Sequence, residues 1–483
     1  MESVWKQGIQ WQHRPRLQGD MEVEAAVIGG GMAGILTAYF LQRRNVKTIV
    51  LEAAKIGSGQ TGNTTAKITS QHNLIYHKLM QEFGEEKARQ YARANQEAIE
   101  EYRRLVKELG IDCALEDRPA YLYCRDEAHV GLLEQETDAA KELGIHAELT
   151  LHTTLPFSVA GAVKFHDQAQ FQPLTFLQAI AKCLTIYEGT RVITVEDQRI
   201  MTDCGTVKAK YIVFATHFPF LNRPGYYFAR MHQERSYVLA LQKAARLDGM
   251  YLGIDGDELS FRNYGDYLLL GGGGHRTGEN SAGGKYARLR EKAAQYYPGS
   301  TEEFHWSAQD CMTLDGVPYI GQFSPATPHW YVATGFGKWG MTSSMVSARL
   351  ISDQIAGISH PCAEVFSPHR FTPTASVKTF LTDMGQAVKG IGRRVFTIPE
   401  TNVQDLPRGH GGVVDWQGEK VGVYKDEEDT VHVVSTRCPH LGCQLEWNPD
   451  EKSWDCPCHG SRFDFRGNLL DNPAQTPLET ENE

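Results

Sequence analysis

The 483-residue sequence contains no apolar run of the roughly 20 residues that a membrane-spanning helix needs. Residues 1–20 also lack the apolar core of a secretory signal. The expectation is a cytoplasmic location and no transmembrane segment. Cysteine is sparse, ten in all, and six of them (Cys113, Cys124, Cys183, Cys204, Cys311 and Cys362) are scattered along the chain. That spacing is unlike a secreted disulfide framework and reads as reduced core residues. An excess of basic charge is missing too: 49 Lys and Arg face 59 Asp and Glu, so nothing suggests a nucleic-acid surface. The imbalance is local. Phe396 to Glu483 holds seven basic and seventeen acidic residues, which leaves the first 395 residues formally neutral. Such an acidic module could recognise a basic electron-transfer partner, or it could simply be a solvated surface. The length points to about three domain-sized units.

The remaining four cysteines fall in two short boxes, Cys438-Pro439-His440-Leu441-Gly442-Cys443 and Cys456-Pro457-Cys458-His459-Gly460-Ser461. A Cys-x-His box followed by a Cys-x-x-His box suits a two-iron cluster with thiolates on one iron and imidazoles on the other. Cys438, His440, Cys456 and His459 are the expected ligands. Zinc also takes four N/S ligands, and a plain disulfide loop is a further reading, although it would not need the two histidines. The pair of boxes resembles the Rieske [2Fe–2S] signature, and closely the version in respiratory cytochrome bc complexes. That resemblance implies a disulfide between Cys443 and Cys458. Respiratory loops continue Gly-Ser-x-Tyr-Asp, whose hydroxyls bond cluster sulfurs. Here Gly460-Ser461-Arg462-Phe463-Asp464 keeps the serine and lacks the tyrosine hydroxyl. A potential below the respiratory examples is expected, within the Rieske span of roughly −150 to +300 mV.

Near the other end, an apolar strand, Ala25-Ala26-Val27-Ile28, runs into Gly29-Gly30-Gly31-Met32-Ala33-Gly34. A helical segment, Ile35 to Arg44, and a second apolar strand, Thr48 to Leu51, follow and end at Glu52. Strand, glycine turn, helix, strand and terminal acid together form a dinucleotide-binding unit, with the pyrophosphate at the helix N-terminus and Glu52 placed for a ribose hydroxyl.

Beyond Ala53 the run Gly57-Ser58-Gly59-Gln60-Thr61-Gly62-Asn63-Thr64-Thr65-Ala66-Lys67 is rich in small and hydroxyl residues. It resembles the flavin loop of the D-amino-acid-oxidase-like family, which includes glycine and sarcosine oxidases. The likeness returns in Ile186 to Val192, similar to the strand lining the adenine, and in Tyr211-Ile212-Val213-Phe214-Ala215-Thr216. It returns again in Leu314-Asp315-Gly316-Val317-Pro318-Tyr319-Ile320-Gly321. In order over about residues 20 to 370, these matches imply FAD. They place Gly29, Gly31, Met32, Ala33, Gly34, Glu52, Ala53, Ser58, Thr61, Thr64, Thr65, Ala66, Lys67, Val192, Ala215 and Thr216 at the cofactor. A further turn, Gly335-Phe336-Gly337-Lys338-Trp339-Gly340-Met341-Thr342, opens a helix near Met341. The resemblance aims that helix N-terminus at the pyrimidine edge of the flavin, where its dipole stabilises charge. Gly335, Gly337, Lys338, Trp339, Gly340, Met341 and Thr342 therefore join the cofactor set. Lys338 either adds a full charge there or is an exposed lysine on a turn.

Glu85 to Leu109 and Asp126 to Leu143 have helical periodicity and are expected to cap a sheet. Tyr237 to Leu241, Glu258 to Tyr264 and Tyr267 to Leu270 read as strands of an antiparallel substrate sheet, with Gly271 to Gly274 a strand end near the cofactor. Family members acting on amino acids carry an Arg five positions before the Asp of Asp-Gly-x-Pro; here that position is Asp310. A carboxylate cannot clamp a carboxylate, so a cationic amine is the expected substrate. Arg262 and Arg276 are either anion anchors or structural residues, with Asp310, Lys338 and Arg262 the candidate catalytic residues.

The expected fold is an α/β, Rossmann-like FAD-binding domain interleaved with the substrate sheet over residues 1–372. A connector with a helix from Ser376 to Val388 fills 373–395, and a small all-β Rieske domain spans 396–483. The expected activity is hydride transfer from a small amine to FAD, with electrons leaving singly through an exposed His440 and His459 edge to a one-electron acceptor. A reductase running in the opposite direction, and a Rieske module serving only as a redox sensor or docking domain, are the alternatives.

Overall fold

The computed structural model describes residues 2–256, 259–370, 406–416 and 419–480. The expected connector and its helix lie outside the described residues. No described helix is long and apolar enough to cross a membrane.

The first sheet is built on the dinucleotide unit. Strand Met21–Ile28 pairs in parallel with Thr48–Leu51 on one side (Ala25 opposite Thr48, Ile28 opposite Leu51) and with Gly205–Phe214 on the other. Ala25 to Ile28 are all at least 96 % buried, as a parallel sheet covered on both faces requires. The helix Met32–Arg43 is buried from Met32 to Leu41 and packs against the helix Gly340–Ile355. Strand Thr327–Thr334 pairs in parallel with Gly205–Phe214, which brings the glycine turn before Gly340 beside the first glycine loop.

The second sheet runs, in order, Thr301–Thr313, Met231–Gln242, Tyr267–Arg276, Ser260–Tyr264, Met250–Gly253, Ala120–Cys124, Gly161–Phe165 and Ala147–Thr150. It is antiparallel except at one step, where Met250–Gly253 and Ala120–Cys124 run in parallel. The three strands expected from the sequence pair antiparallel, and the parallel step arises where Ala120–Cys124 enters from a distant part of the chain rather than by a hairpin. Of the two inserted helices, Val130–Glu142 caps this sheet, whereas Glu85–Leu109 packs on other helices, Gly340–Ile355 among them.

From His410 on the structure is all β. A three-stranded antiparallel sheet (His410–Trp416, Glu419–Lys425, Val431–Ser435) is followed by a four-stranded one (Glu446–Asn448, Ser453–Asp455, Arg462–Asp464, Leu469–Asp471). Trp447, Trp454, Phe463 and Leu445 form its core. This module sits on the flavoprotein part through buried polar contacts. Arg235 donates to Glu451 from Nε (3.0 Å) and Nη2 (2.7 Å), the pair being 2 % and 6 % exposed. Glu451 also accepts from Ser307 and meets Arg462 at 3.1 Å.

Candidate active site and metal centre

A cavity of about 410 Å³ follows the path laid out by the glycine motifs. Gly29, Gly31, Met32 and Ala33 form one end, with Glu52, Ala53, Ser58, Thr61, Thr64, Thr65 and Lys67 along one wall. Val192, Ala215 and Thr216 line another part, and Gly337, Lys338, Trp339, Gly340 and Met341 close the far side. Met32 N–H donates to Thr61 Oγ1 at 2.9 Å, tying the helix start to the flavin loop. Glu52 accepts from the N–H groups of Gly30 and Ala54, each at 2.7 Å, and burial raises its pKa. The chemistry of this wall, backbone N–H groups and hydroxyls at a helix start, fits a dinucleotide. His217 adds a second sign of fit: it lines the cavity, and its Nε2 is buried with no hydrogen-bond partner among the described residues.

Four expected cofactor residues do not line the cavity. Gly34 serves packing instead: a Cβ there would stand 1.9 Å from the Gly29 carbonyl oxygen. Ala66 turns its carbonyl to Arg262 (2.6 Å). Gly335 makes the turn at φ +72°, with Thr313 2.3 Å from where a Cβ would lie. Thr342 Oγ1 donates to the Thr69 carbonyl at 3.0 Å, behind the helix start. Arg262 is also displaced from its expected catalytic place. It is absent from the lining and 1 % exposed, and its Nη1 donates to the carbonyls of Thr65 (2.7 Å) and Ala66 (2.6 Å), so it braces the flavin loop. Arg276 similarly donates to the Pro457 carbonyl, at 3.2 Å.

Asp310 does line the cavity. Burial pushes its carboxyl up to about 7, against the pull of Lys338. Glu234, its partner across the strand pair, meets Lys338 Nζ at 3.7 Å and His232 Nε2 at 3.4 Å. Lys67 is drawn down to about 7 by burial and by the neighbouring Arg262 charge. The cavity wall thus carries a carboxyl and an amine that both change charge near neutrality.

At the metal centre, the two boxes form adjoining loops. Cys438 and Cys456 are buried free thiols, and Cys443 and Cys458 are joined in a disulfide. Backbone N–H groups of His440 and Leu441 point at the Cys438 sulfur, and those of His459 and Cys458 at that of Cys456. Burial lowers His440 to about 4, keeping it the neutral imidazole a metal ligand must be. Its Nδ1 is buried and makes no hydrogen bond, and its ring centroid is 4.9 Å from that of His459. Two thiols, two imidazoles and sulfur-directed N–H groups fit a Rieske cluster. The sulfurs of Cys443, Cys456 and Cys458 also lie within 4.8 Å of one another, but the disulfide consumes two of them, so this trio is not a ligand set.

The histidine edge is not exposed as expected. His440 Nε2 is 2.7 Å from Asn222 Oδ1, His459 is 8 % exposed, and both rings stand edge-on to Phe228. The module is turned inward, and its segment Leu469 to Gln475 supplies part of the cavity wall. Asn472 Nδ2 donates to the carbonyls of Thr216 (3.0 Å) and Phe218 (2.6 Å), beside the cavity. No motif marked His217, Gln233 or the 469–475 segment, because their role depends on two distant parts of the chain meeting.

Fold and site together define an FAD-dependent oxidoreductase carrying its own Rieske [2Fe–2S] centre. The chain belongs to the FAD dependent oxidoreductase family, which it matches over residues 24–354, and it matches the Rieske [2Fe-2S] domain over 397–481. The protein YhfW of Bacillus subtilis (strain 168), described as a Rieske 2Fe-2S iron-sulfur protein, is 36 % identical over 492 residues, covering 99 % of this chain and 97 % of that one. The cytochrome b6-f complex iron-sulfur subunit 2 of Trichormus variabilis is 47 % identical over 45 residues, 9 % of this chain and 25 % of its own. Among solved structures, glycine oxidase from Geobacillus kaustophilus superposes with a TM-score of 0.62 at 18 % identity, covering 72 % of this chain and 99 % of that one. L-proline dehydrogenase from P. horikoshii gives 0.61 at 17 %, covering 74 % and 98 %. At such identities the likeness is one of fold.

Proposed function

We propose that the chain is an amine dehydrogenase that sends electrons from its FAD site to its own Rieske centre and on to a one-electron acceptor. The observation that carries this reading is the inward-facing cluster loop, with Leu469 to Gln475 sharing the wall of the FAD cavity. When bound, FAD accepts a hydride from the carbon beside nitrogen and the two-iron centre accepts single electrons. The glycine loop and the hydroxyls of Thr61, Thr64 and Thr65 would hold the dinucleotide, and Cys438, His440, Cys456 and His459 the cluster. Asp310 fills the place where a guanidinium would bind an amino-acid carboxylate. Ionised, it pairs with a substrate ammonium; protonated, it does not. Lys338, held near Glu234, contributes positive charge at the start of the helix Gly340–Ile355. The burial of the cavity excludes water and strengthens both interactions.

The reading is tested by anaerobic mixing of the holoenzyme with a panel of primary and secondary amines while following flavin bleaching and the cluster spectrum. Bleaching by an amine, followed by the spectral change of the cluster, is the expected result. Efficient oxidation of glycine, sarcosine or D-alanine would overturn the substrate assignment. Bleaching by NAD(P)H alone would overturn the direction of electron flow.

A further inference from the structure

We infer that Gln309 and Gln233 are positioning residues that connect the flavin cavity to the cluster ligand His459. The inference rests on the flavin-to-cluster reading above and names the part of the chain that makes it work. His217 and Gln309 both line the cavity. Gln309 Nε2 donates to the side-chain oxygen of Gln233 at 2.6 Å. Gln233 Nε2 in turn donates to the His459 carbonyl at 2.7 Å. Two hydrogen bonds thus span the distance from cavity wall to cluster ligand. His459 also directs its own N–H at the Cys456 sulfur.

Gln309 Nε2 also donates to the Gly460 carbonyl (2.8 Å), and its own N–H donates to Gln60 Oε1 (2.7 Å). Gln60 lies on the flavin loop and reaches back to Asp471 of the Rieske part at 3.0 Å. Gln233 and Gln309 are 1 % and 0 % exposed. Apolar side chains would fill that space without needing partners, whereas buried amides fix one arrangement only when every bond is made. A Cβ on Gly460 would stand 2.6 Å from Gln233 Cβ, so the cluster loop is seated directly on this glutamine.

The test uses full-length holoenzyme variants Gln233→Met and Gln309→Met, which keep volume and remove the polar bridge. After anaerobic photoreduction of the flavin, the rate of cluster reduction is followed by its visible spectrum. Its electron paramagnetic resonance g-values and potential are recorded in parallel. The expectation is at least a tenfold slower transfer in Gln233→Met and Gln309→Met, with g-values and potential unchanged in Gln309→Met. If the parent transfers electrons and cluster-loaded variants transfer as fast, the inference is wrong while the functional reading stands. If the parent itself shows no transfer, both fall. Should Gln233→Met lose its cluster, the rate of Gln309→Met, which does not touch His459, decides.

Discussion

Asp310 and Phe463 each carry a departure from the families they resemble, and each has a measurable consequence. Asp310, pushed up to about 7 by burial, is neutral below that pH and charged above it. If it pairs with a substrate ammonium, kcat/KM for the amine rises as pH passes upward through about 7, and Asp310→Asn flattens that limb. A hydrogen bond to a charged group is worth about 1.5–3 kcal/mol, so the variant is expected to lose roughly ten- to a hundredfold at pH 8. Phe463 is fully buried in the core of the Rieske part. Phe463→Tyr offers a hydroxyl that stabilises the more negative reduced cluster, so voltammetry is expected to show a higher potential. An unchanged potential would mean that this position does not reach the cluster sulfurs.

At the scale of elements, the glycine-turn unit was legible because its chemistry is local. Gly34 follows Gly29 by five residues, and the close approach of helix to strand is decided between them. Gly34→Ala puts a methyl 1.9 Å from a backbone oxygen that has no room to retreat. It is expected to cost about 1–3 kcal/mol or more, seen as a lower melting temperature and less bound flavin per chain. The helix Glu85–Leu109 and the two Cys/His boxes of the Rieske part were readable for the same reason, as periodicity and spacing. What escaped was non-local. Arg262 looks like an anion anchor in isolation, and only the fold shows its guanidinium committed to the Thr65 and Ala66 carbonyls. Gln233 sits in mid-strand with no motif around it, and becomes meaningful once His459, far along the chain, arrives beside it. The parallel step between Met250–Gly253 and Ala120–Cys124 was hidden in the same way, since period-two patterning does not state which strands meet.

For the whole molecule, the decisive feature is that the two parts are pinned together by ionised side chains shielded from water. Glu451 sits between Arg235 and Arg462 and, despite the opposing effect of burial, is held well below the ordinary carboxylate value. A depressed folded-state pKa gives stability that is fully present above the unfolded value and fades as the pH falls below it. Glu451→Gln leaves Arg235 buried opposite a neutral amide, while Arg462 keeps Asp455 and Asp471, at a cost of roughly 3–5 kcal/mol. Calorimetry on the variant is expected to show a lower melting temperature than the parent, with the two parts unfolding at more widely separated temperatures. Because residues 469–475 belong to one part yet wall the cavity of the other, the loading of either prosthetic group is thermodynamically tied to the other. Protein made under iron starvation should therefore release its yellow cofactor more readily on dilution, and equilibrium dialysis with and without reconstituted iron and sulfide would measure that mutual dependence.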